Sequence, residues 1–134
     1  MKKIIIFVTL AFSLGAFAHE GAHGPEQKMA PHGGVLRDST SLMFELVKSG
    51  ESIKIYPLTH EGKAIDAKLV EVDTKKTSLT DAKKKTVQHT LTPEGDAIVV
   101  KFEKGSSYRY SLSLSARYEG KENKATWQIE LGSE

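Results

Sequence analysis

The sequence predicts an all-β domain that follows an export signal. From residue 41 onward, apolar and polar residues alternate with the period of two that is typical of half-buried strands. Short runs that contain Gly, Pro, Asn, Asp or Ser separate these stretches at short intervals. No helical period remains once the apolar N-terminus is set aside. We therefore expect an antiparallel β-sandwich of the Ig-like type, with about seven strands.

Residues 1–18 have the features of a secretory signal peptide. Lys2 and Lys3 form a positive n-region, an apolar run covers residues 4–14, and residues 16–18 (Ala-Phe-Ala) precede a cleavage site. The run is too short to span a bilayer, and no second run of that length follows. We expect cleavage before His19, a periplasmic location, and no membrane insertion of the mature chain.

Composition restricts the function classes. Removing Lys2 and Lys3 from the 19 Lys and Arg residues leaves 17, equal to the 17 Asp and Glu residues. This balance argues against nucleic-acid binding, which needs clustered positive charge. The chain contains no Cys, so disulfides, thiolate catalysis and Cys-based metal sites are excluded. Removing 18 of the 134 residues leaves 116, which suits a single domain.

The first half of the mature chain is predicted to contain an arm and three strands. Residues 19–31 are rich in Gly, His, Glu and Ala without any period, and we predict a flexible arm there, with the domain covering residues 32–134. Strands are predicted at residues 41–47 and 51–58, joined by a hairpin at Ser49 and Gly50. Glu45 then faces away from Phe44 and Leu46. A loop at residues 59–63 and a weaker strand at residues 67–73 follow.

The second half is predicted to contain four more strands. Residues 74–85 fit either a long exposed hairpin tip or, through residues 79–83, a short helical turn. Strands follow at residues 86–92 and 97–102, separated by a turn at residues 92–96, then the clearest strand at residues 107–118 and, after a turn at residues 119–121, a last strand that reaches residue 131. The aromatic side chains on one side of these last strands are expected in the core: Tyr108, Tyr110, Tyr118 and Trp127.

The sequence carries no motif of a known catalytic type. It has no G-x-S-x-G elbow, no Gly-rich phosphate loop and no H-E-x-x-H motif. His19 and His23 are four residues apart, but Gly21 and the Gly24-Pro25 pair disfavour a helix there. No nucleophile, base and acid can be assembled from the pattern, so we expect that the protein is not an enzyme.

Histidine placement indicates metal binding instead. Four of the five histidines lie in the arm or in a loop: His19, His23, His32 and His60. After cleavage, His19 offers its imidazole and its α-amine, whose reference pKa of about 8 allows deprotonation when a metal binds. This donor set suits Cu(II), Zn(II) or Ni(II), with Cu(II) first in affinity, whereas the Met29 thioether favours Cu(I).

Each candidate also has a plain structural interpretation. The His- and Gly-rich arm is a simple flexible tail in that case. Glu45 is then a solvated strand residue, and His60 is a turn residue that any polar residue could replace. His89 shares a strand face with Val87 and Leu91, and we interpret it as a hydrogen-bonded core or interface histidine.

Several short motifs, in their order along the chain, resemble a group of small exported β-proteins associated with heavy-metal resistance. The motifs are Pro-His-Gly-Gly-Val at residues 31–35, Phe-Glu-Leu-Val at 44–47, Ile-Tyr at 55–56, Thr-His-Glu-Gly-Lys at 59–63 and Leu-Thr-Pro-Glu-Gly-Asp at 91–96. Together with a closing strand that follows Tyr118 and contains Trp127, they are similar to the N-terminal domain of periplasmic adaptor subunits of cation efflux pumps, of the cobalt-zinc-cadmium and copper type. The resemblance covers residues 32–131.

The resemblance implies a periplasmic β-sandwich that handles transition-metal ions. By position, His32 is the histidine of the His-Gly-Gly motif, Glu45 is the strand carboxylate and His60 is the turn histidine. A site that joins these three is expected, because two glycines allow the His-Gly-Gly segment to approach the strand face of Glu45 closely. Thr59 and Ala64 stand where the family commonly has Asp and Pro, and the hairpin and membrane-fusion parts of an adaptor are absent.

We therefore predict a periplasmic protein that binds a transition-metal ion, copper or zinc, through His32, Glu45, His60, His19 and His23. It would buffer the metal or deliver it to a cation efflux complex. The alternative is a non-catalytic β-sandwich interaction module whose arm docks a partner protein, with incidental histidines. A thermal shift with micromolar metal that EDTA reverses separates the two, since binding to the folded state raises stability.

Overall fold

The computed structural model describes residues 30–49 and 52–132, and this part of the chain is all-β. Its one helical element is a single 3-10 turn, Ala67–Leu69. The nine strands of this part are β1 Val35–Asp38, β2 Met43–Ser49, β3 Ser52–Leu58, β4 Glu71–Val72, β5 Ser78–Asp81, β6 His89–Glu94, β7 Ala97–Phe102, β8 Arg109–Tyr118 and β9 Lys121–Glu130. The predicted signal peptide and most of the predicted arm, residues 1–29, lie outside the described residues.

The strands form two antiparallel sheets. The first contains five strands in the order β1-β2-β3-β7-β6. The second contains four, in which β9 pairs along the whole of β8 while β4 and β5 share the other side of β8. Within the described segments, no helix is long and apolar enough to cross a membrane.

Side chains from both sheets share one hydrophobic core. Strand alternation places Phe44 and Ile55 of the first sheet, and Leu112 and Trp127 of the second, in this core with at most 1% exposure. The rings of Phe44 and Trp127 meet edge to face, with centroids 6.5 Å apart. Burial of these large apolar side chains is the main stabilising contribution in a chain without disulfides.

A buried amide fastens the two sheets together at one end. Asn123 on β9 has no exposed surface, and its Oδ1 accepts the backbone N–H groups of Ser41 at 2.7 Å and Leu42 at 3.1 Å. Its Nδ2 donates to the Ser41 hydroxyl at 2.9 Å and to the Lys121 carbonyl at 3.2 Å. The turn before β2 is thereby fixed to the second sheet.

Among the described strands, β9 pairs only with β8, and residues near β1 and β2 cover its other side. Three contacts occupy its backbone groups: the Arg37 Nε donates to the Thr126 carbonyl at 3.0 Å, the Lys48 Nζ donates to the Glu130 carbonyl at 2.7 Å, and the Lys124 N–H donates to the Ser39 hydroxyl at 2.7 Å. The indole N–H of Trp127 also donates to the Val35 carbonyl at 3.1 Å.

The strands at residues 67–85 differ from the prediction. The predicted strand at residues 67–73 is a 3-10 turn capped by the Asp66 side chain, followed by the two-residue β4. Residues 78–81 are strand β5, and neither a helical turn nor an exposed hairpin tip, because Leu79 is fully buried and pairs with Leu112 on β8. The unpredicted β1 and β5 raise the count from about seven to the nine described strands.

Two smaller predictions were also wrong. The turn predicted at residues 92–96 begins later, because strand β6 continues to Glu94. Pro93 is tolerated inside this strand because β6 lies at the end of its sheet. Tyr108 is 47% exposed, with the Arg109 guanidinium 5.2 Å from its ring centroid, because it precedes the paired part of β8. Tyr110 and Trp127 are in the core as predicted.

Candidate metal site

Glu45 is a buried carboxylate on β2, the second strand of the first sheet. Cross-strand pairing places it between Leu36 on β1 and Tyr56 on β3, on the face opposite to Phe44. Its exposure is 0%, so the interpretation of Glu45 as a solvated strand residue was wrong. A carboxylate in such a position needs donors around it, because burial of an unpaired charge is strongly unfavourable.

The His-Gly-Gly segment supplies these donors. The backbone N–H of His32 lies 2.8 Å from Oε2 and 3.2 Å from Oε1 of Glu45, and the backbone N–H of Gly34 lies 2.8 Å from Oε2. The imidazole Nδ1 of His32 lies 2.8 Å from Oε1. Both carboxylate oxygens are therefore occupied by one short segment of chain. No buried polar side-chain atom in the described residues is left without a partner.

Two glycines allow this close approach, each for its own reason. Gly34 lies so near β2 that a Cβ atom there would be 2.2 Å from the Leu46 carbonyl oxygen. Gly33 has φ +73°, in the left-handed region that glycine favours, and its N–H donates to the Ala30 carbonyl at 3.1 Å. The predicted path of the segment along the Glu45 face is thus the one that the backbone takes.

The His32 ring is held on both its edge and its face. Nδ1 contacts Glu45, while the ring stacks on Tyr56 with centroids 3.7 Å apart and planes 11° from parallel. The side chain remains 33% exposed, and no hydrogen bond from a described residue reaches its Nε2. As far as the described residues are concerned, this nitrogen of the fixed imidazole is open to an external ligand such as a metal ion.

His60 lies at a second position and does not join His32 and Glu45. It follows β3 in the turn that the Gly62 N–H closes on the Thr59 carbonyl, and its Nδ1 is 3.5 Å from the Asp38 carboxylate at the end of β1. Both side chains are well exposed, at 41% and 68%. In residues 30–49 and 52–132, no group of three or more His, Asp or Glu side chains is close enough to hold a metal ion.

The carboxylate of Glu61 adds a negative charge to the turn that carries His60. The pKa of Glu61 lies below its ordinary value, first because of a backbone hydrogen bond within its own residue and then because of the Thr59 side chain, with a smaller contribution from His60. Glu61 therefore stays ionised to a lower pH than an ordinary glutamate does. The residues of the predicted three-residue site therefore lie in two places: a part-buried pair, His32 with Glu45, and an exposed pair, His60 with Asp38.

Of the three remaining histidines, only His89 belongs to the part of the chain that the structure describes. His19 and His23 lie outside the described residues. His89 is half-buried on β6, and its Nδ1 lies 2.9 Å from the Val87 carbonyl, which agrees with its interpretation as a hydrogen-bonded histidine.

Sequence reasoning missed Tyr56 and Asp38 as neighbours of the two histidines. Tyr56 is the cross-strand partner of Glu45, so the register of the β2–β3 hairpin would have revealed it. Asp38 belongs to β1, a four-residue strand that the alternation pattern did not predict. Comparison of the chain with protein-family models, with curated proteins and with solved structures found no match.

Proposed function

We propose that this protein binds a transition-metal ion, Cu(II) or Zn(II), in the periplasm and buffers it or delivers it to a cation efflux complex. The observation that carries this proposal is the fixed imidazole of His32, whose Nδ1 is held by a buried carboxylate while the side chain as a whole stays 33% exposed. Histidines that ligate metals usually have their second ring nitrogen bonded to a carboxylate, a carbonyl or a water in this way.

In this proposal Glu45 supports the site and does not ligate the metal. Its two oxygens already accept the N–H groups of His32 and Gly34 and contact the His32 Nδ1. A metal ion on either oxygen would displace these donors and detach the segment from β2. Glu45 is therefore a supporting residue in this proposal, whereas the sequence prediction made it a direct ligand.

The other ligands in the proposal come from the arm. His19, as the first residue after signal cleavage, offers an α-amine and an imidazole, and His23 offers a second imidazole only nine residues before His32. Nitrogen donors of this kind bind Cu(II) more tightly than Zn(II) or Ni(II). His60 with Asp38 is a separate pair and is not required by this site.

The assignment as a periplasmic, non-catalytic Ig-like sandwich with a cleaved signal at residues 1–18 belongs to the same proposal. It is supported by the pattern of residues 1–18 and by the two antiparallel sheets around one core. The resemblance to adaptor domains of cation efflux pumps supports the choice of partner.

One observation favours the alternative, an interaction module without a metal. The contacts of Glu45 already explain why a histidine and two glycines occur at residues 32–34, since together they fasten the segment to the sheet. A purely structural fastening needs neither Nε2 nor the arm histidines, so the metal affinity of variants at His32 and in the arm separates the two functions.

Calorimetric titration of the mature protein, purified from the periplasm, with Cu(II) and with Zn(II) tests the proposal. We expect His32→Ala, and the double variant His19→Ala/His23→Ala, each to lower the affinity for the preferred metal by about tenfold or more, since each loses a ligand. His89→Ala is the matched control, because that ring lies on β6 with a backbone partner. Circular dichroism confirms that each variant is folded.

Equal affinity of His32→Ala and His89→Ala would remove His32 from the site. Absence of any Cu(II), Zn(II) or Ni(II) binding by the wild-type protein would contradict the proposed function and favour the interaction module.

A further inference from the structure

We infer that Glu45 fixes the His32 imidazole in the tautomer that carries its proton on Nδ1, so that Nε2 presents a lone pair outward. The inference concerns the metal-free protein, and only its consequence for metal affinity rests on the proposed function. Glu45 is thus a positioning residue whose effect reaches the metal through His32.

The surroundings of the carboxylate determine the proton position. Oε2 accepts two backbone N–H groups, from His32 and Gly34, and neither donor can be exchanged for an acceptor. An ionised carboxylate only accepts, so the ring nitrogen at 2.8 Å from Oε1 must donate. In a neutral imidazole one nitrogen donates and the other accepts, which leaves Nε2 unprotonated.

Tyr56 restricts the ring to this orientation. The two rings are nearly parallel with centroids 3.7 Å apart, and Tyr56 is itself positioned by its pairing opposite Glu45 across β2 and β3. Rotation of the imidazole out of this plane would lose both the stacking and the Nδ1 contact. The face and the edge of the ring are therefore fixed by two neighbouring positions of one hairpin.

Substitution Glu45→Gln separates this role from simple fastening. A glutamine of nearly the same shape can accept the two backbone N–H groups with its carbonyl oxygen, which turns its amide NH₂ toward the position of Oε1. That group donates, so Nδ1 must accept and the proton moves to Nε2. The segment stays attached, but the nitrogen that faces solvent no longer offers a lone pair. We expect metal affinity to fall by about 10- to 100-fold, as for other altered partners of metal-bound histidines.

Nitrogen-15 NMR of the imidazoles in the metal-free mature chain tests the inference directly. At a pH where His32 is neutral, we expect the Nδ1–H tautomer in the wild type and the Nε2–H tautomer in Glu45→Gln. Glu122→Gln is the matched control, because Glu122 is another hydrogen-bonded glutamate, on β9, whose partners are Ser115 and Lys76. It should leave the His32 signals unchanged.

An Nε2–H tautomer in the wild type, or the same tautomer in wild type and Glu45→Gln, overturns the inference. If Glu45→Gln does not fold, the tautomer seen in the wild-type spectrum decides whether the inference holds. Tyr56→Leu is then expected to retain the Nδ1–H form, because this variant keeps the Glu45 carboxylate. If the tautomers change as expected but neither protein binds metal in calorimetry, the inference is supported and the proposed function fails.

Discussion

Substitution of Gly34 by Ala tests whether the His-Gly-Gly segment is seated on β2 as described. The new Cβ would lie 2.2 Å from the Leu46 carbonyl oxygen, about 0.8 Å inside the 3.0 Å separation that real Cβ atoms keep. Because the obstacle is backbone, the segment has to move away from the strand. The bond from the Gly34 N–H to the Glu45 carboxylate, 2.8 Å long, then lengthens beyond hydrogen-bond range.

The expected cost follows from the bonds that are lost. A hydrogen bond to a charged group contributes about 1.5–3 kcal/mol, and the displaced segment carries such bonds from the backbone of both His32 and Gly34. Water that reaches Glu45 offsets part of this loss, and Ala restricts the unfolded chain by about 0.4–1 kcal/mol in favour of folding. We therefore expect Gly34→Ala to lower the free energy of unfolding by about 2–4 kcal/mol.

Urea unfolding of the metal-free protein, followed by circular dichroism, measures this change, and hydrogen exchange reports on the His32 and Gly34 amides. Gly105→Ala is the matched control, because a Cβ there meets nothing within 4 Å and no left-handed φ is involved, so its stability should stay within about 0.5 kcal/mol of wild type. If Gly34→Ala matched this control and kept both amides protected, the seating of the segment on β2 would be refuted.

Two further predictions concern contacts away from the site. Asn123→Ala leaves the buried N–H groups before β2, including that of Leu42, without an acceptor, so we expect a loss of about 2–4 kcal/mol in urea unfolding, whereas Gln128→Ala on the exposed face of the same strand should cost under about 0.5 kcal/mol. The pKa of Glu122 lies below its ordinary value, mainly because Lys76 hydrogen-bonds to it and attracts its charge. Because the pKa is lower in the folded state, ionised Glu122 adds stability at pH values above its unfolded pKa, and this stability is lost as the pH falls through its folded pKa. Glu122→Gln should therefore reduce the decrease in unfolding free energy that acid causes below about pH 5. An unchanged dependence of the unfolding free energy on pH would contradict this assignment.

The strand pattern was predictable wherever one face of a strand packs on the core. Period-two alternation located β2, β3, β7, β8 and β9 to within about two residues, because their inward side chains are apolar, with the buried Asn123 of β9 as an exception. It missed β5, whose one fully buried side chain, Leu79, lies among Ser, Thr and Asp. A single apolar residue carries no period, so only its partner strand reveals it.

The candidate site was predictable in part for a related reason. Two adjacent glycines beside a histidine indicated a close backbone approach, and Gly34 makes that approach. The separation of His60 from Glu45 was not predictable, because it depends on β1, which brings Asp38 next to His60. Strand β1 is mostly exposed and has no alternating apolar face, so local sequence gives no sign of its pairing with β2.

The covered side of β9 has a consequence for behaviour at high concentration. A ten-residue strand with free backbone groups along one side is a template on which other chains can add, as in domain swapping and fibril growth. Here Arg37 and Lys48 occupy carbonyls that such an intruding strand would need, and their positive charges repel a second copy of the same surface. We expect the folded protein to resist self-association through this strand without any covalent cross-link.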